Sequence, residues 1–367
     1  MWGCIQFSFY TSFNLSTSYK RPFFFSTSTT VSTTASITGL RVVVAGASGK
    51  AGQSVMKELM SNLKRFDVVA LARSDSAGKP VYQEMASAGA TIETVNFCNS
   101  GALTARLSGA DVVISCLLPL QKVESENLVD VAHQAGVGCL VPNFWGSVIP
   151  PRGVMGARDL REDLLDRCKR LYLPYTIIDV GMWYQASLPP PFNAGPPIGY
   201  TFVGNGDMPT AMIDKNDIGP YVARIITDPR TLNRSVLAYS EVATQRAVAE
   251  EVKAVTGKEE PRDSLSAAEL EARIAELNSL IAFDPTDIGL FVQLSMYQYG
   301  YTNYVRGDNT PEHAKYLGYL DAKALYPDVK CKSLREFIQE VVAGKRDHHI
   351  YVGRDPRRAH AQGISIV

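Results

Sequence analysis

The chain has 367 residues, 46% of them hydrophobic, which is enough for a large core in one big domain or two modest ones. Its formal net charge is zero, so nothing in the composition favours nucleic acid or an acidic membrane surface as a partner. The six cysteines form no CxxC pair, the five histidines show no ligand spacing, and no apolar run approaches roughly 18–20 residues, so neither a metal site nor a membrane helix is expected.

Residues 1–39 differ in composition from the rest of the chain. They are rich in serine and threonine, contain no acid, and carry Lys20 and Arg21 as their charged residues. A mitochondrial presequence is acid-poor and serine-rich, but it should also be rich in arginine. We therefore interpret this segment as a disordered extension of a cytoplasmic protein, with a mitochondrial targeting segment as the alternative.

A buried strand and a glycine-rich turn follow. Residues 42–45 have the length and β-branching of a strand in a parallel sheet, and a helix is predicted over 51–63. The glycines between them let the backbone turn tightly and approach a pyrophosphate, which the N–H groups at the start of the helix can bind. This pattern predicts a dinucleotide site; a strand–helix turn without a ligand is the alternative. The predicted cofactor contacts here are Gly46, Ala47, Ser48, Gly49, Lys50, Ala51 and Gly52.

The second predicted strand, residues 67–73, ends where such folds meet the adenosine ribose. An acidic residue there accepts from the 2′-hydroxyl of NAD, whereas an arginine suits the 2′-phosphate of NADP. The residue is Arg73, and a charge-assisted contact to phosphate contributes on the order of 1.5–3 kcal/mol, or roughly ten- to a hundredfold in affinity. The sequence therefore favours NADPH, while the nearby Asp75 keeps NAD as the alternative.

Strands and helices continue to alternate as far as residue 185. Further strands are predicted over 91–97, 111–119, 138–142 and 174–180, and helices over 80–88, 101–107, 125–135 and 156–171. This repetition predicts an α/β fold with a Rossmann-like, doubly wound parallel sheet. Because such sheets bind ligands at their carboxyl edge, Leu117, Leu118 and Asn143 join the predicted cofactor contacts.

The second half of the chain is less regular. A proline-rich loop spans 189–197, two short strands are predicted around the turn residues 204–207, and Ser266 and Ser333 begin capped helices. We predict a dinucleotide-binding domain over 40–185, a smaller and mostly helical substrate lobe over 186–345, and a tail over 346–367. A strand over 235–240 is expected to return to the first sheet.

The predicted substrate pocket is apolar. Aromatic residues between 283 and 304 could line it together with residues that follow strand ends, although each of these is also explained as a core residue. The residues at strand ends are Trp145, Met155, Met182, Trp183 and Phe192.

Several stretches together resemble the isoflavone reductase and NmrA-like group of atypical short-chain dehydrogenases. They are the glycine loop, Arg73, residues 127–137, 142–146, 173–176 and 214–224, and, as in fungal members, residues 309–311 and 316–325. The resemblance covers roughly residues 40–345. It implies an NADPH-dependent reductase of a conjugated or aromatic natural product in secondary metabolism. The alternative is an NmrA-like regulator that binds the dinucleotide and a protein partner, or a second copy of itself, without turnover.

The chain departs from that group at its catalytic lysine. The position that matches this lysine holds Arg161, or Leu160 if the register differs by one residue, and the group's Ser-Glu-Phe-Gly sequence is altered over 143–146. Arg161 lies at the margin of its helix's apolar face with no acid three or four residues away, so we expect its side chain to point toward the site. The alternative is an arginine whose stem covers apolar surface while its head lies in water.

The charges around Arg161 pair differently. The spacing predicts the pairs Arg158–Glu162, Asp163–Arg167 and Asp166–Arg170 on the same helix.

An arginine cannot act as a general acid near neutral pH, but it can hold a developing enolate by hydrogen bonds. The proton in a reduction would then come from water or from a tyrosine, Tyr184 or Tyr175. Tyr319 and Lys323 match the Tyr-x-x-x-Lys signature of ordinary short-chain dehydrogenases, but they lie too far along the chain to be expected in catalysis.

Overall fold

The computed structural model describes residues 39–346 apart from 190–197, 199 and 261. Its central strands are β1 (Leu40–Ala45), β2 (Phe66–Arg73), β3 (Thr91–Val95), β4 (Val112–Ser115) and β5 (Cys139–Val141). They form a parallel sheet in the order β3-β2-β1-β4-β5, with Val42 opposite Val68 on one side and Val112 on the other. The predicted parallel sheet is confirmed.

Helices connect these strands and cover both faces of the sheet. They are α1 (Lys50–Met60), α2 (Pro80–Ser87), α3 (Ser100–Leu107), α4 (Lys122–Gln134) and α5 (Gly156–Arg170). Successive side chains of a strand point to opposite faces. Val42 and Val44 therefore pack with residues of α1 and α2, and Val43 packs with residues of α3, α4 and α5. Each of these fully buried valines contributes roughly 1.5–3 kcal/mol.

The chain after α5 contains shorter strands and further helices. The strands are β6 (Thr176–Asp179), β7 (Met182–Trp183), β8 (Phe202–Val203), β9 (Thr210–Ile213), β10 (Arg234–Leu237), β11 (Glu241–Ala243), β12 (Ser264–Leu265) and β13 (Leu320–Asp321). The helices are α6 (Tyr184–Ser187), α7 (Ile218–Ile225), α8 (Gln245–Thr256), α9 (Ala267–Phe283), α10 (Ile288–Gly300), α11 (Pro311–Tyr316), α12 (Ala322–Leu325) and α13 (Leu334–Val342).

Three of these strands continue the parallel arrangement. A bridge between Leu140 and Tyr175 joins β5 to the start of β6, β10 pairs with β6, and β13 pairs with β10. The carboxyl ends of β4, β5 and β6 therefore lie along one edge. The division into a dinucleotide domain over 40–185 and a substrate lobe over 186–345 stays a prediction.

The prediction of two short strands around residues 204–207 is right about the strands, but they do not pair as a hairpin. β8 pairs with β12, whereas β9 lies between β7 and β11. The reason is burial: all four residues of β9 are buried, so this strand needs a neighbour on each side.

Two predicted helix starts are confirmed in detail. Ser266 before α9 and Ser333 before α13 each form a capping box with the glutamate three residues later. The aromatic stretch between 283 and 304 forms α10 and a π-helical turn, Tyr301–Arg306, which the sequence did not reveal. No helix in the described part of the chain is long and apolar enough to cross a membrane.

Candidate active site

The turn after β1 has the shape of a phosphate-binding loop. Gly46 has a φ of +77°, and a Cβ there would lie 2.7 Å from the backbone carbonyl of Cys116. A Cβ on Gly52 would lie 2.4 Å from the carbonyl oxygen of Gly46, so α1 packs directly on the turn. Side chains at these two positions would push the helix and the loop after β4 apart.

The start of α1 is open to an anion. Its N-cap residue, Gly49, has no side chain to satisfy the first N–H groups, and the first turn contains no acid. The helix dipole adds a partial positive charge at this point. Tyr82 of α2 reaches the Ser48 hydroxyl over 3.4 Å at the side of the loop. A pyrophosphate fits these donors.

Arg73 at the end of β2 is held weakly. Its Nε lies 3.5 Å from a carboxylate oxygen of Asp75, and the two side chains are 39% and 66% exposed. Solvent screens an ion pair of this kind, which contributes about 0–1 kcal/mol. A doubly charged 2′-phosphate can therefore compete with Asp75 for the Arg73 guanidinium.

The loops after β4 and β5 are tied together. The Asn143 side-chain amide donates to the carbonyl of Leu117, and the Trp145 indole N–H donates to the carbonyl of Ser115 at 2.9 Å. Leu117 is buried, while Leu118 is exposed. Trp145 is buried and belongs to the core cluster that includes residues of β1 and β4, and its place in the substrate pocket stays a prediction.

Arg161 lies on α5 and is 7% exposed. Its two Nη atoms make long hydrogen bonds of 3.4 Å to the hydroxyl of Tyr299, and its Nε has no partner among the described residues. Gly146, just beyond β5, borders the pair: a Cβ there would lie 3.0 Å from the Tyr299 oxygen and 3.7 Å from an Arg161 Nη. The alternative of a head group in water is wrong, because the guanidinium is buried.

A neighbouring arginine satisfies the acids of this region. Arg158 donates to both oxygens of Asp179, at 3.1 and 2.9 Å, and to Glu162 at 2.7 Å. The Tyr319 hydroxyl accepts from Arg158 at 2.8 Å and donates to Asp179 at 2.6 Å. Burial raises the pKa values of Asp179 and Glu162, and Arg158 opposes this effect. Within the described residues, no carboxylate forms an ion pair with Arg161.

The predicted pairs on α5 are partly right. Arg158–Glu162 is confirmed. The other two are wrong, because residues outside the helix compete: Asp163 and Asp166 pair with Arg152, and Arg167 pairs with Asp130.

The structure places the two predicted proton donors, Tyr184 and Tyr175, in other surroundings than the Arg161–Tyr299 pair. Tyr184 is fully buried and donates to Glu241 at 2.8 Å; burial raises its pKa well above the usual range. The chain turns at Gly181, with a φ of +72°, and carries Tyr184 into a separate cluster with Phe337. Tyr175 precedes β6 and so lies at the amino end of that strand, opposite the edge where ligands bind.

The remaining residues that were predicted to line the substrate pocket lie in different packing clusters. Met155 is buried and belongs to the cluster against which Phe291 and Tyr299 pack. Met182 packs against the cluster of Tyr184, and Trp183 packs against the sheet core. Phe192 lies outside the described residues.

The Tyr-x-x-x-Lys match is not a catalytic pair in this structure. The Tyr319 hydroxyl is used by Asp179 and Arg158, and the Lys323 amine donates to the carbonyl of Ser240 at 2.7 Å. Sequence reasoning missed Tyr299 as a partner of Arg161, because nothing distinguishes it from the other tyrosines near it in the chain.

The chain is similar to known oxidoreductases. A family model described as the NmrA-like family matches residues 39–150. The chain is 34% identical to the asnovolin J 5′,6′-dehydrogenase nvfM of Aspergillus novofumigatus, over 83% of this chain and 96% of that protein. It is 25% identical to the probable pinoresinol-lariciresinol reductase 3 of Arabidopsis thaliana, over 82% of this chain and 97% of that protein.

Solved structures share the fold. The binary complex of leucoanthocyanidin reductase and NADPH from Vitis vinifera matches with a TM-score of 0.68 and 19% identity, over 83% of this chain and 99% of that chain. A crystal structure of isoflavone reductase matches with a TM-score of 0.69 and 17% identity, over the same shares.

Proposed function

The chain belongs to the NmrA-like family of isoflavone reductase-like oxidoreductases, and we propose that it is an NADPH-dependent reductase of a conjugated or aromatic small molecule. The observation that carries this proposal is Arg161. A buried guanidinium with an unpartnered Nε and no carboxylate at ion-pair distance in the described residues is costly, and a ligand with an electron-rich oxygen beside it would offset that cost. Arg161 also occupies the position that matches the catalytic lysine of the family.

The cofactor half of the site supports NADPH. When bound, NADPH supplies the hydride. The backbone of the glycine loop and the start of α1 would hold the pyrophosphate, and Arg73 would hold the 2′-phosphate. The open N-cap at Gly49 and the space above Gly46 and Gly52 suit such a group.

Arg161 would stabilise negative charge on the substrate oxygen. Its Nη atoms and its unpartnered Nε are donors in a water-poor site, and one such donor contributes about 2.7–4 kcal/mol to the transition state, or roughly 10²–10³ in rate. A guanidinium offers only N–H donors and has no acceptor. The role of Arg161 is therefore to hold charge, and a separate group must deliver the proton.

The relatives narrow the substrate class. One is named an asnovolin J 5′,6′-dehydrogenase and another a probable pinoresinol-lariciresinol reductase, so both dehydrogenases and reductases are named among them. For this chain we propose a polycyclic or phenolic natural product with a conjugated carbonyl group. The cytoplasmic location stays a prediction.

Hydride transfer tests the proposal. The full chain is incubated with NADPH and a panel of cyclohex-2-en-1-one, 1,4-naphthoquinone and genistein while cofactor absorbance is followed, and the reverse reaction is run with NADP⁺ and the saturated products. We expect consumption of NADPH above background with at least one compound.

The replacement of the family's lysine by Arg161 favours the second candidate function, a dinucleotide-binding regulator. Tight NADPH binding without turnover of any compound would support it and contradict the reductase.

A further inference from the structure

We propose that the Tyr299 hydroxyl is the proton donor of this site and that Arg161 stabilises the phenolate it leaves; the inference rests on the proposed reductase function. The observation is the contact between the two side chains, 138 residues apart in sequence, at the carboxyl edge of the sheet.

The direction of the hydrogen bonds leaves the tyrosine proton available. A guanidinium has donors and no acceptor, so Arg161 must donate to the Tyr299 oxygen through both Nη atoms. The hydroxyl hydrogen of Tyr299 therefore points elsewhere, and no acceptor for it is found in the described part of the chain. Gly146 keeps the space beside this oxygen free of side-chain atoms.

The Tyr299 backbone is fixed in place. Its carbonyl accepts from the Asn303 side chain at 2.8 Å and from the Thr302 hydroxyl at 3.2 Å. These residues belong to the π-helical turn after α10, and such turns are frequent at functional sites. Apolar contacts with Met155 and Phe291 pack around the half-buried ring.

The proton step balances. After a hydride has been added to the β-carbon of a conjugated carbonyl compound, its electron pair makes a C–H bond and the former π pair lies on an enolate. The O–H bond of Tyr299 breaks, its proton forms the second C–H bond at the α-carbon, and its electron pair stays on the phenolate oxygen. Arg161 stabilises that oxygen until a proton from solvent restores the hydroxyl.

Tyr299→Phe tests the proposal, with Tyr172→Phe as the control, because the Tyr172 side chain is 87% exposed and lies outside the proposed site. With a panel compound that the wild type reduces, Tyr299→Phe should lower kcat by about 10²-fold or more, with KM and the Kd for NADPH within about twofold. The control should keep its kcat. A kcat of Tyr299→Phe within about threefold of the wild type would overturn the proposal.

Binding of 4-nitrophenol gives a readout that does not need turnover, because its absorbance distinguishes the phenol from the phenolate. The wild type should bind the phenolate, and Tyr299→Phe should bind it roughly tenfold or more weakly. Equal phenolate binding by both, or none by the wild type, would overturn the proposal. Phenolate binding that depends on Tyr299, without reduction of any panel compound, would contradict the reductase function. It would still support a Tyr299 hydroxyl that donates to a ligand in the site.

Discussion

Two arginines one turn apart on α5 lie in contrasting surroundings. Arg158, 3% exposed, donates to two buried carboxylates and to Tyr319, and its guanidinium lies 4.5 Å from the centre of the Phe144 ring. Arg161, 7% exposed, contacts the hydroxyl of Tyr299 and has an unpartnered Nε. The same side chain on one helix is satisfied in the first case and left with capacity for a ligand in the second.

We interpret this difference in partners as the difference between a structural arginine, Arg158, and a functional one, Arg161. A buried cation with its acids in place stabilises the fold around the end of β6, because removing it would leave those acids uncompensated. A buried cation without an acid at contact distance has a cost to the fold, and we propose that a ligand offsets it at Arg161. Burial alone therefore does not identify a site residue; the state of its hydrogen-bonding partners does.

Replacing Arg158 should break the first half of this comparison most strongly. Arg158→Met removes the ion pairs of the buried Asp179 and Glu162, and we expect a loss of about 3–5 kcal/mol in the free energy of unfolding, measured by urea denaturation. Arg167→Met on the same helix is the control, since its pair with Asp130 is about one-third exposed and should cost no more than about 1 kcal/mol. Equal losses for the two variants would contradict a structural role for Arg158.

A third arginine extends the comparison to the cofactor. Arg73→Ala should weaken binding of NADPH by roughly ten- to a hundredfold and leave binding of NADH nearly unchanged, because the lost contact is to the 2′-phosphate. Titration of cofactor fluorescence measures both constants. Asp75→Ala should not weaken NADPH binding. The same loss for both cofactors in Arg73→Ala would sink the assignment.

Replacing Arg161 should leave the fold intact. Arg161→Met removes a buried charge that has no carboxylate at ion-pair distance in the described residues and that acts on Asp179 only from further away, so the free energy of unfolding should stay within about 1 kcal/mol of the wild type. Urea denaturation beside Arg158→Met gives the direct contrast. A loss as large as that of Arg158→Met would show that Arg161 is structural too.

Filling the space at Gly146 tests whether this residue borders the Arg161–Tyr299 pair. Gly146→Ala places a Cβ 3.0 Å from the Tyr299 oxygen, so the pair must shift, and we expect roughly a tenfold fall in kcat/KM, or about 1.4 kcal/mol. Gly78→Ala is the control, because a Cβ there meets nothing within 4 Å. Unchanged kinetics in Gly146→Ala would argue against this position bordering the site.

The smallest effect concerns pH in the Arg158 region. Burial raises the pKa of Glu162 in the folded protein. A carboxyl of this kind contributes stability that is fully present below its unfolded pKa of about 4.3 and is lost as the pH rises through its folded pKa. Glu162→Gln should flatten that part of the curve of unfolding free energy against pH. A variant curve parallel to that of the wild type would contradict the raised pKa.

Local patterns predict the cofactor half of the proposed site. The turn after β1 is built from contacts among residues close in sequence, and Gly46 and Gly52 are required by the backbone itself. The strand and helix order up to β6 followed from apolar periodicity for the same reason. Arg161 could be singled out because neighbours on one helix show which charges have no acid nearby.

The substrate half depends on contacts that no local pattern reveals. Tyr299 meets Arg161 across 138 residues, and Tyr319 meets Asp179 across 140. Tyr184 follows a strand end, as a site residue should, but the turn at Gly181 carries it into a different core. The strands around residues 204–207 were predicted correctly and their pairing was not, because pairing depends on burial of β9 between β7 and β11.

We propose that the Arg161 guanidinium, which has no carboxylate at ion-pair distance in the described residues, stabilises negative charge that develops during the reaction. The most direct measurement is the rate of a single turnover in Arg161→Met and in the wild type, at saturating NADPH and a saturating panel compound, because saturation removes differences in binding. We expect the single-turnover rate of Arg161→Met to be roughly 10²–10³-fold slower than that of the wild type, with an unfolding free energy close to that of the wild type. An unchanged rate in a folded Arg161→Met would contradict it.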